Sequence, residues 1–324
     1  MTQKEAVLAL LRGEKPDIIV DGWAPFQPVF DDALLKTTGS MPGTTIVDAW
    51  GVTMIWEEGQ PGTMPSEDPA LLACNDITEW RDQITVPRIR EWEFDWGSAF
   101  GQKAGAEAQG KFAAAFMPCG IFEEAHHILG FEECLVDLLA EPDDMHDLID
   151  ELFDFKKALI ELRVNSWKPE CFILHDDFGS KDSLLMPPDT WREYFKEGYR
   201  EMCKMIHDAG AFVILHSDSK NDLIAADLEE VGIDIWQGAL PECDIEGMQK
   251  SLKKLVFMGG FDSAVYDGVN STPEQVEADV RNACEKYLPG GRFIPSITYG
   301  LPGTIIPGRD EIISKVIEEL NAGK

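Results

Sequence analysis

Ionisable side chains follow several apolar segments in the second half of the chain, at the points where those segments end. Groups of this kind act as general acids and bases or as metal ligands when they meet in one place. An aspartate after a strand can instead cap the next helix, and both interpretations remain open for Asp218 and Asp262. Two glycines stand just before Asp262, which favours a backbone that approaches a ligand closely. The full set of these side chains is His175, Asp177, His216, Asp218 and Asp262.

The segments that must position these side chains alternate between two patterns. Apolar runs without polar alternation, typical of strands buried on both faces, each precede a stretch of helical periodicity. Alternating strands and helices predict a parallel sheet. Strand candidates near residues 18, 52 and 112 raise the number of strands to about eight, which favours a (β/α)8 TIM barrel over a doubly wound open sheet. The five clearest strand candidates are 171–175, 211–216, 233–236, 255–258 and 292–296.

A barrel carries its active site in the loops at the carboxyl ends of its strands, which is where the ionisable residues occur. We predict a single α/β domain, residues 1–324, in which residues 1–110 form an irregular cap on the barrel. This first stretch is rich in proline and glycine and holds six of the nine tryptophans. Helical periodicity over 121–140 and 144–163 follows the strand candidate at 112–117.

The composition argues against several classes of protein. The 324 residues include 28 Lys and Arg against 59 Asp and Glu, a net charge of −31, which disfavours binding to nucleic acid or to an anionic membrane surface. The apolar run at 6–11 is too short for a secretion signal, and no run of 18 apolar residues exists. Seven scattered cysteines without a C-x-x-C pair indicate reduced thiols, so we expect a cytoplasmic protein.

Several motifs in the chain resemble those of the uroporphyrinogen decarboxylase superfamily, over roughly residues 45–60 to 320. The resemblance implies a (β/α)8 barrel and suggests a homodimer. It also implies one of two activities: decarboxylation of a tetrapyrrole without a cofactor, or zinc-assisted methyl transfer to or from a corrinoid protein. The motifs that carry it are Leu174-His175-Asp176-Asp177-Phe178-Gly179-Ser180, Leu215-His216-Ser217-Asp218, Gly259-Gly260-x-Asp262 and Gly300-Leu301-Pro302-Gly303-Thr304.

The N-terminal part of the chain departs from the decarboxylase pattern. That branch carries a Met-Arg-Gln-Ala-Gly-Arg stretch whose arginines bind substrate carboxylates, whereas the corresponding stretch here, 21–25, has no arginine. A substrate with eight carboxylates is poorly matched to a protein of charge −31 that lacks these arginines. The late Gly-His-Gly of the decarboxylases is replaced by Thr298-Tyr299-Gly300. These departures favour the methyltransferase branch.

The methyltransferase pattern is altered at the zinc ligands. The family's zinc is usually held by a His-x-Cys pair and a later Cys, but here the pair reads His216-x-Asp218 and the later position falls near Tyr299. Zinc accepts imidazole and carboxylate ligands, so we predict a zinc site at His216, Asp218 and Glu123. His175 and Asp177 are the alternatives for the third ligand. Hard oxygen ligands suit a methyl group bound to oxygen, as in methoxylated aromatic compounds.

From this resemblance we hypothesise a corrinoid-dependent methyltransferase that demethylates a small methoxylated or methylated compound and passes the methyl group to a corrinoid protein. Zinc would act as a Lewis acid on the ether oxygen. The predicted catalytic residues are Asp177, His216, Asp262 and Tyr299. Aromatic and polar side chains near the strand ends would bind the substrate, although core packing is the alternative for each aromatic ring. These substrate-binding candidates are Trp23, His175, Phe178, Trp236, Gln237 and Phe261.

Two other hypotheses remain. The first is a decarboxylase that acts on a small carboxylate, which would release carbon dioxide without a corrinoid. The second is a non-catalytic barrel that binds a ligand and releases it unchanged.

Overall fold

A computed structural model describes residues 1–39, 42–58, 62–266, 268, 270–298 and 306–323. Its strands are β1 (Phe26–Val29), β2 (Thr44–Val47), β3 (Thr53–Trp56), β4 (Met64–Pro65), β5 (Phe112–Met117), β6 (Cys171–His175), β7 (Phe212–Ser219), β8 (Ile235–Ala239), β9 (Val256–Gly260) and β10 (Phe293–Ser296).

The main sheet contains seven parallel strands in the order β1-β5-β6-β7-β8-β9-β10, which is also their order along the chain. Helices follow most of these strands, so the chain has the TIM-barrel-like α/β fold that the alternation of patterns predicts. Strands β6, β8 and β9 are buried along almost their whole length, as expected for strands covered on both faces. The carboxyl ends of all seven strands therefore lie along one edge of the sheet.

Two of the predicted barrel strands are wrong. Residues 18–20 form no strand: a turn at 22–25, in which Gly22 has a φ of +42°, follows them, and the strand that pairs with β5 begins only at Phe26. Gly22 itself lies close to β10: a Cβ there would meet Ser296 Oγ at 3.3 Å. The strand predicted near residue 52 exists as β3, but it lies in a separate antiparallel sheet with β2 and β4.

The predicted helix over 121–140 is divided into two at Gly130, whose φ of +88° ends the first helix. The longest helix begins at Pro142, where proline suits the first turn. The helices are α1 (Gln3–Leu11), α2 (Asp32–Thr38), α3 (Trp80–Gln83), α4 (Gly97–Ala108), α5 (Ile121–Leu129), α6 (Phe131–Ala140), α7 (Pro142–Ser166), α8 (Pro188–Tyr194), α9 (Lys196–Asp208), α10 (Ala225–Val231), α11 (Ile245–Ser251), α12 (Ser263–Tyr266), α13 (Pro273–Tyr287) and α14 (Arg309–Ala322).

The helices that flank the first half of the sheet pack against one another: α7 contacts both α5 and α9. The stretch 1–110 contributes β1 to the main sheet, in register with Phe112–Ala115 of β5. Among the helices of the described residues, none is both long enough and apolar enough to cross a lipid bilayer.

Candidate functional site

Two histidines meet at the carboxyl ends of neighbouring strands. His175 ends β6 and His216 lies opposite it in β7, and the two are paired in the ladder. Side chains of paired residues in adjacent parallel strands point to the same face, so the imidazole rings stack, with centroids 4.3 Å apart and planes inclined by 27°. Asp177 follows β6 by two residues, and one ligand atom from each of these three side chains lies within 4.8 Å of the others.

A bulge in the sheet lies at the end of β7, beside this group. The register of β7 against β8 shifts between His216 and Ser219. Gly238 of β8 has a φ of +113°, and a Cβ there would lie only 2.4 Å from the carbonyl oxygen of Ser217. Only glycine allows this close approach. The bulge brings Asp218 towards the histidines, with 3.9 Å between its Oδ1 and His216 Nε2.

Gln237 determines which nitrogen of His216 carries the proton. The Gln237 side chain is fully buried, and its Nε2 donates to the carbonyl oxygens of Ile297, at 2.8 Å, and Thr298, at 3.0 Å. Carbonyl oxygens only accept hydrogen bonds, so Gln237 Oε1 must face His216 Nδ1, which contacts it. Nδ1 therefore bears the proton.

The opposite nitrogen of His216 faces the carboxylates. Nε2 lies 3.9 Å from Asp177 Oδ1, which itself accepts a hydrogen bond of 2.7 Å from the backbone N–H of Asp218. Burial and the nearby His175 lower the pKa of His216, against the opposing effect of Asp177. The ring is therefore neutral near pH 7, and Nε2 presents a lone pair to the oxygen atoms.

The second histidine is oriented by a carboxylate. Glu123 Oε2 lies 2.9 Å from His175 Nδ1 and also accepts a hydrogen bond of 3.1 Å from the backbone N–H of Gly120. Burial alone would raise the pKa of Glu123 and lower that of His175, but their mutual attraction outweighs it and shifts both in the opposite directions. The ionised carboxylate accepts from Nδ1, so the Nε2 of His175 is turned away from Glu123.

Asp176, which was not predicted to be a site residue, points away from this group and caps α5. Its carboxylate accepts hydrogen bonds from the backbone N–H groups of Ile121, Phe122 and Glu123, and from the hydroxyl of Tyr199 at 2.6 Å. Side chains alternate along an extended chain, so a residue between His175 and Asp177 must face the opposite side. That alternation is the signal in the sequence that would have identified its separate role.

A second group of buried polar side chains, also not predicted, lies next to the site. Cys119 follows β5 in a left-handed conformation, with φ of +58°, and its Sγ lies 3.2 Å from His127 Nδ1. Lys156 Nζ contacts the carbonyl oxygen of Cys119 and lies 4.0 Å from Glu124 Oε2. Cys119 and His175 line the same narrow cavity. These contacts hold the residues that follow β5 in place next to His175.

Several predicted site residues make contacts of other kinds. Asp262 Oδ1 caps the short helix α12 through the backbone N–H of Ala264, and the backbone N–H of Asp262 donates to Asp279. Tyr299 and the motif 300–304 lie outside the described residues. The predicted aromatic substrate contacts are all at most 7% exposed and pack in the core; they are Trp23, Phe178, Trp236 and Phe261.

The arrangement brings three candidate metal ligands together. Both histidines have Nδ1 occupied by a neighbouring side chain, and one ligand atom of each lies within 4.8 Å of one from Asp177. Two imidazole nitrogens with a carboxylate oxygen form a donor set found in catalytic zinc sites and in non-haem iron sites. The residues present therefore fit a divalent cation.

Comparison with known proteins places the chain among related sequences and folds. The family model for uroporphyrinogen decarboxylase (URO-D) matches residues 48–316. A solved structure, a methyltransferase from Methanosarcina mazei, matches with a TM-score of 0.72 and 13% identity over 99% of each chain. A putative vitamin-B12 independent methionine synthase from Listeria monocytogenes gives a TM-score of 0.44 and 12% identity, over 68% of this chain and 69% of that chain. A search of curated protein sequences finds no match.

Proposed function

The chain belongs to the uroporphyrinogen decarboxylase family, and on that premise we propose that it is a methyltransferase. It would move a methyl group from a small methoxylated or methylated compound to a corrinoid carried by a partner protein. The observation that carries the proposal is the convergence of His175, Asp177 and His216 at the carboxyl ends of β6 and β7. A decarboxylase that works without a cofactor has no need of such a donor set. The full-length likeness to a methyltransferase fold supports the same choice.

Zinc is the cation that we propose for this group, because imidazole and carboxylate donors suit it. When bound, it would supply Lewis acidity that weakens the bond between the methyl carbon and the oxygen of the substrate. Hard oxygen donors in place of thiolates favour a substrate whose methyl group is attached to oxygen. The residues that would hold the ion are His175, Asp177 and His216, whose ligand atoms converge.

The side chains of this site orient the donor compound and receive the leaving group. In the proposed reaction the carbon–oxygen bond breaks, the methyl group passes to the electron pair of the reduced corrinoid, and the oxygen keeps the bonding electrons. Asp177 is held by the backbone N–H of Asp218 at 2.7 Å, so its carboxylate has a fixed direction beside the reacting atoms. The ring of His216 is held by its contact with Gln237. A fixed polar environment of this kind lowers the barrier because it needs no reorganisation during the reaction.

Direct assay of methyl transfer tests the proposal. Zinc-loaded protein is mixed with a cob(I)alamin and a panel of methoxylated aromatic and methylated aliphatic compounds, and the spectrum of the corrinoid and the mass of the demethylated product are followed. We expect transfer with wild type and with His146→Ala, a control at an exposed histidine paired with Glu193. We expect loss of activity with His216→Ala.

Two results would contradict the proposal. The first is the absence of transfer across the whole panel by folded, zinc-loaded wild type. The second is release of carbon dioxide from a carboxylate in the absence of any corrinoid, which would support the decarboxylase hypothesis instead.

A further inference from the structure

Each of the two histidines of the site has its Nδ1 in contact with a side chain of a neighbouring element. We propose that His175, Asp177 and His216 are the metal ligands, and that Glu123 and Gln237 are positioning residues that fix the two histidines from outside. The inference deepens the proposed function, on which its choice of metal rests, by assigning the ligands of that same site. It replaces the sequence prediction, in which Glu123 was itself a ligand.

The contacts of Glu123 support a positioning role. The same oxygen, Oε2, lies 2.9 Å from His175 Nδ1 and 3.1 Å from the backbone nitrogen of Gly120. Glu123 stands in the first turn of α5, and Asp176 holds its backbone N–H at 2.9 Å. The carboxylate is thus anchored at both its backbone and its side chain. A carboxylate on the far nitrogen of a metal-binding histidine orients the ring and makes it a stronger donor.

Gln237 orients the ring of His216 through its neutral side-chain amide. All of its polar capacity is used inside the protein: Oε1 contacts Nδ1, and Nε2 donates to the carbonyl oxygens of Ile297 and Thr298. The amide cannot turn over without placing its Oε1 against the carbonyl oxygens of Ile297 and Thr298, which are also acceptors. Gln237 therefore couples His216 to the segment that follows β10, and its Oε1 faces Nδ1, not the Nε2 that lies beside Asp177.

The donor chemistry identifies the class of ion. Two imidazole nitrogens and one carboxylate oxygen bind Zn²⁺, Co²⁺ and Fe²⁺. Within the ranges that the structure describes, the group of converging ligand atoms includes no cysteine. Co²⁺ is therefore a suitable spectroscopic probe, because its absorption reports the number and type of its ligands.

Metal binding in the absence of any methyl donor tests the assignment. Chelator-treated protein is titrated with Zn²⁺ and with Co²⁺, and stoichiometry and affinity are read by calorimetry and by cobalt absorption. We expect one ion per chain for wild type, as a single catalytic centre requires. Isosteric variants that keep the volume, His175→Gln and Asp177→Asn, together with His216→Ala, should each lose this binding. His146→Ala is the matched control at an exposed histidine.

The positioning variants give a different expected result. Glu123→Gln should still bind one ion per chain, with affinity reduced about 10- to 100-fold, the range observed when the partner of a ligating histidine is changed. Gln237→Met should behave in the same way. Asp218→Asn should keep one ion per chain, because Asp218 is outside the proposed ligand set.

The assignment would be overturned by wild type that binds neither ion, or by Asp218→Asn and Glu123→Gln proteins that bind none while Asp177→Asn still binds one. Circular dichroism of each variant identifies any that fails to fold. The assay contains no corrinoid, so a protein that binds the ion but transfers no methyl group would refute the proposed function and leave the ligand assignment intact.

Discussion

Asp176 holds the helix that carries Glu123: its Oδ1 accepts a hydrogen bond of 2.9 Å from the backbone N–H of Glu123. Its Oδ2 accepts from the backbone N–H groups of Ile121, at 2.8 Å, and Phe122, at 3.1 Å. One buried carboxylate therefore accepts the three N–H groups of the first turn of α5. Because His175 precedes Asp176 in the chain, a single dipeptide both contributes a candidate ligand and fixes the helix that orients it.

Replacement of Asp176 by alanine should therefore destabilise the protein strongly. Three buried N–H groups would lose their acceptor, and each unsatisfied group costs about 1–3 kcal/mol. We expect a loss of about 3 kcal/mol or more in the free energy of unfolding, measured by urea denaturation. Tyr199→Phe removes only one of the four hydrogen bonds and should cost about 1 kcal/mol. A loss below about 1 kcal/mol for Asp176→Ala would show that the cap contributes little.

The buried ion pair between Arg163 and Asp31 gives a second prediction. Arg163 Nε and Nη2 lie 2.7 and 2.9 Å from the two oxygens of Asp31, which also accepts from Trp167 Nε1, and both charged side chains are almost fully buried. Arg163→Met would leave the carboxylate uncompensated, which costs about 3–5 kcal/mol.

The double variant Arg163→Met/Asp31→Asn separates this explanation from simple loss of packing. It should lose less than the sum of the two single losses, because neither partner remains as an isolated buried charge. Urea denaturation of all four proteins measures the difference. Strictly additive losses would contradict the prediction.

Glu124 should make stability fall as the pH rises from about 4.5 to about 8. Burial and the charge of Asp48 raise its pKa to about 8, although Lys156 acts in the opposite direction. A carboxyl group whose pKa is raised by folding contributes most below its unfolded value, near 4.5, and this contribution is lost as pH rises through about 8. Glu124→Gln has no charge to bury, so its stability relative to wild type should increase from pH 5 to pH 9.

Chemical denaturation at pH 5, 7 and 9 measures this trend. Glu132→Gln, on the exposed part of α6, is the matched control, because it makes the same substitution at a carboxylate that is not buried. If Glu124→Gln and wild type kept the same stability difference at all three pH values, Glu124 would not change its protonation with folding in this range.

His207 should stabilise the protein while its ring is protonated. Its Nε2 lies 2.8 Å from Asp234 Oδ2, and this hydrogen bond, with the charge of Asp234, raises the pKa of His207 against the effect of burial. The resulting stability is present below the unfolded pKa, about 6.5, and is lost as pH rises through the folded value. Since His207 is 39% exposed, solvent screens the pair and its value is about 0.2–1 kcal/mol.

His207→Gln should consequently lower the melting temperature at pH 5.5 and have a smaller effect at pH 9. Thermal unfolding at both values is sufficient to measure the difference. An equal loss at the two pH values would indicate that the ring contributes through packing, not through its charge.

The strands after residue 170 were predictable, because a parallel strand covered on both faces needs an unbroken apolar run. The predicted strand 171–175 coincides with β6, and 255–258 overlaps β9. By contrast, β1 reads Phe-Gln-Pro-Val and lies in a stretch rich in proline, so nothing in its local pattern distinguishes it from a loop. Its place in the sheet depends on pairing with β5, which is distant in sequence.

The positions of the candidate ligands were predictable in the same way, but their partners were not. A polar residue that ends a buried strand must lie at the sheet edge, which indicated His175 and His216. Glu123 reaches His175 from a position 52 residues away, and Gln237 reaches His216 from one 21 residues away. These contacts depend on strand register and on the direction of α5.

The sequence by itself thus determined the family, the alternation of strands and helices, and the strand ends at which polar chemistry occurs, because each of these follows from residues that are near one another in the chain. Only the tertiary structure decided which nitrogen of each histidine contacts a neighbouring side chain, that Asp176 supports a helix instead of joining the site, and that residues 18–20 form no strand. These outcomes depend on distances between residues far apart in sequence, which local patterns of polarity do not encode.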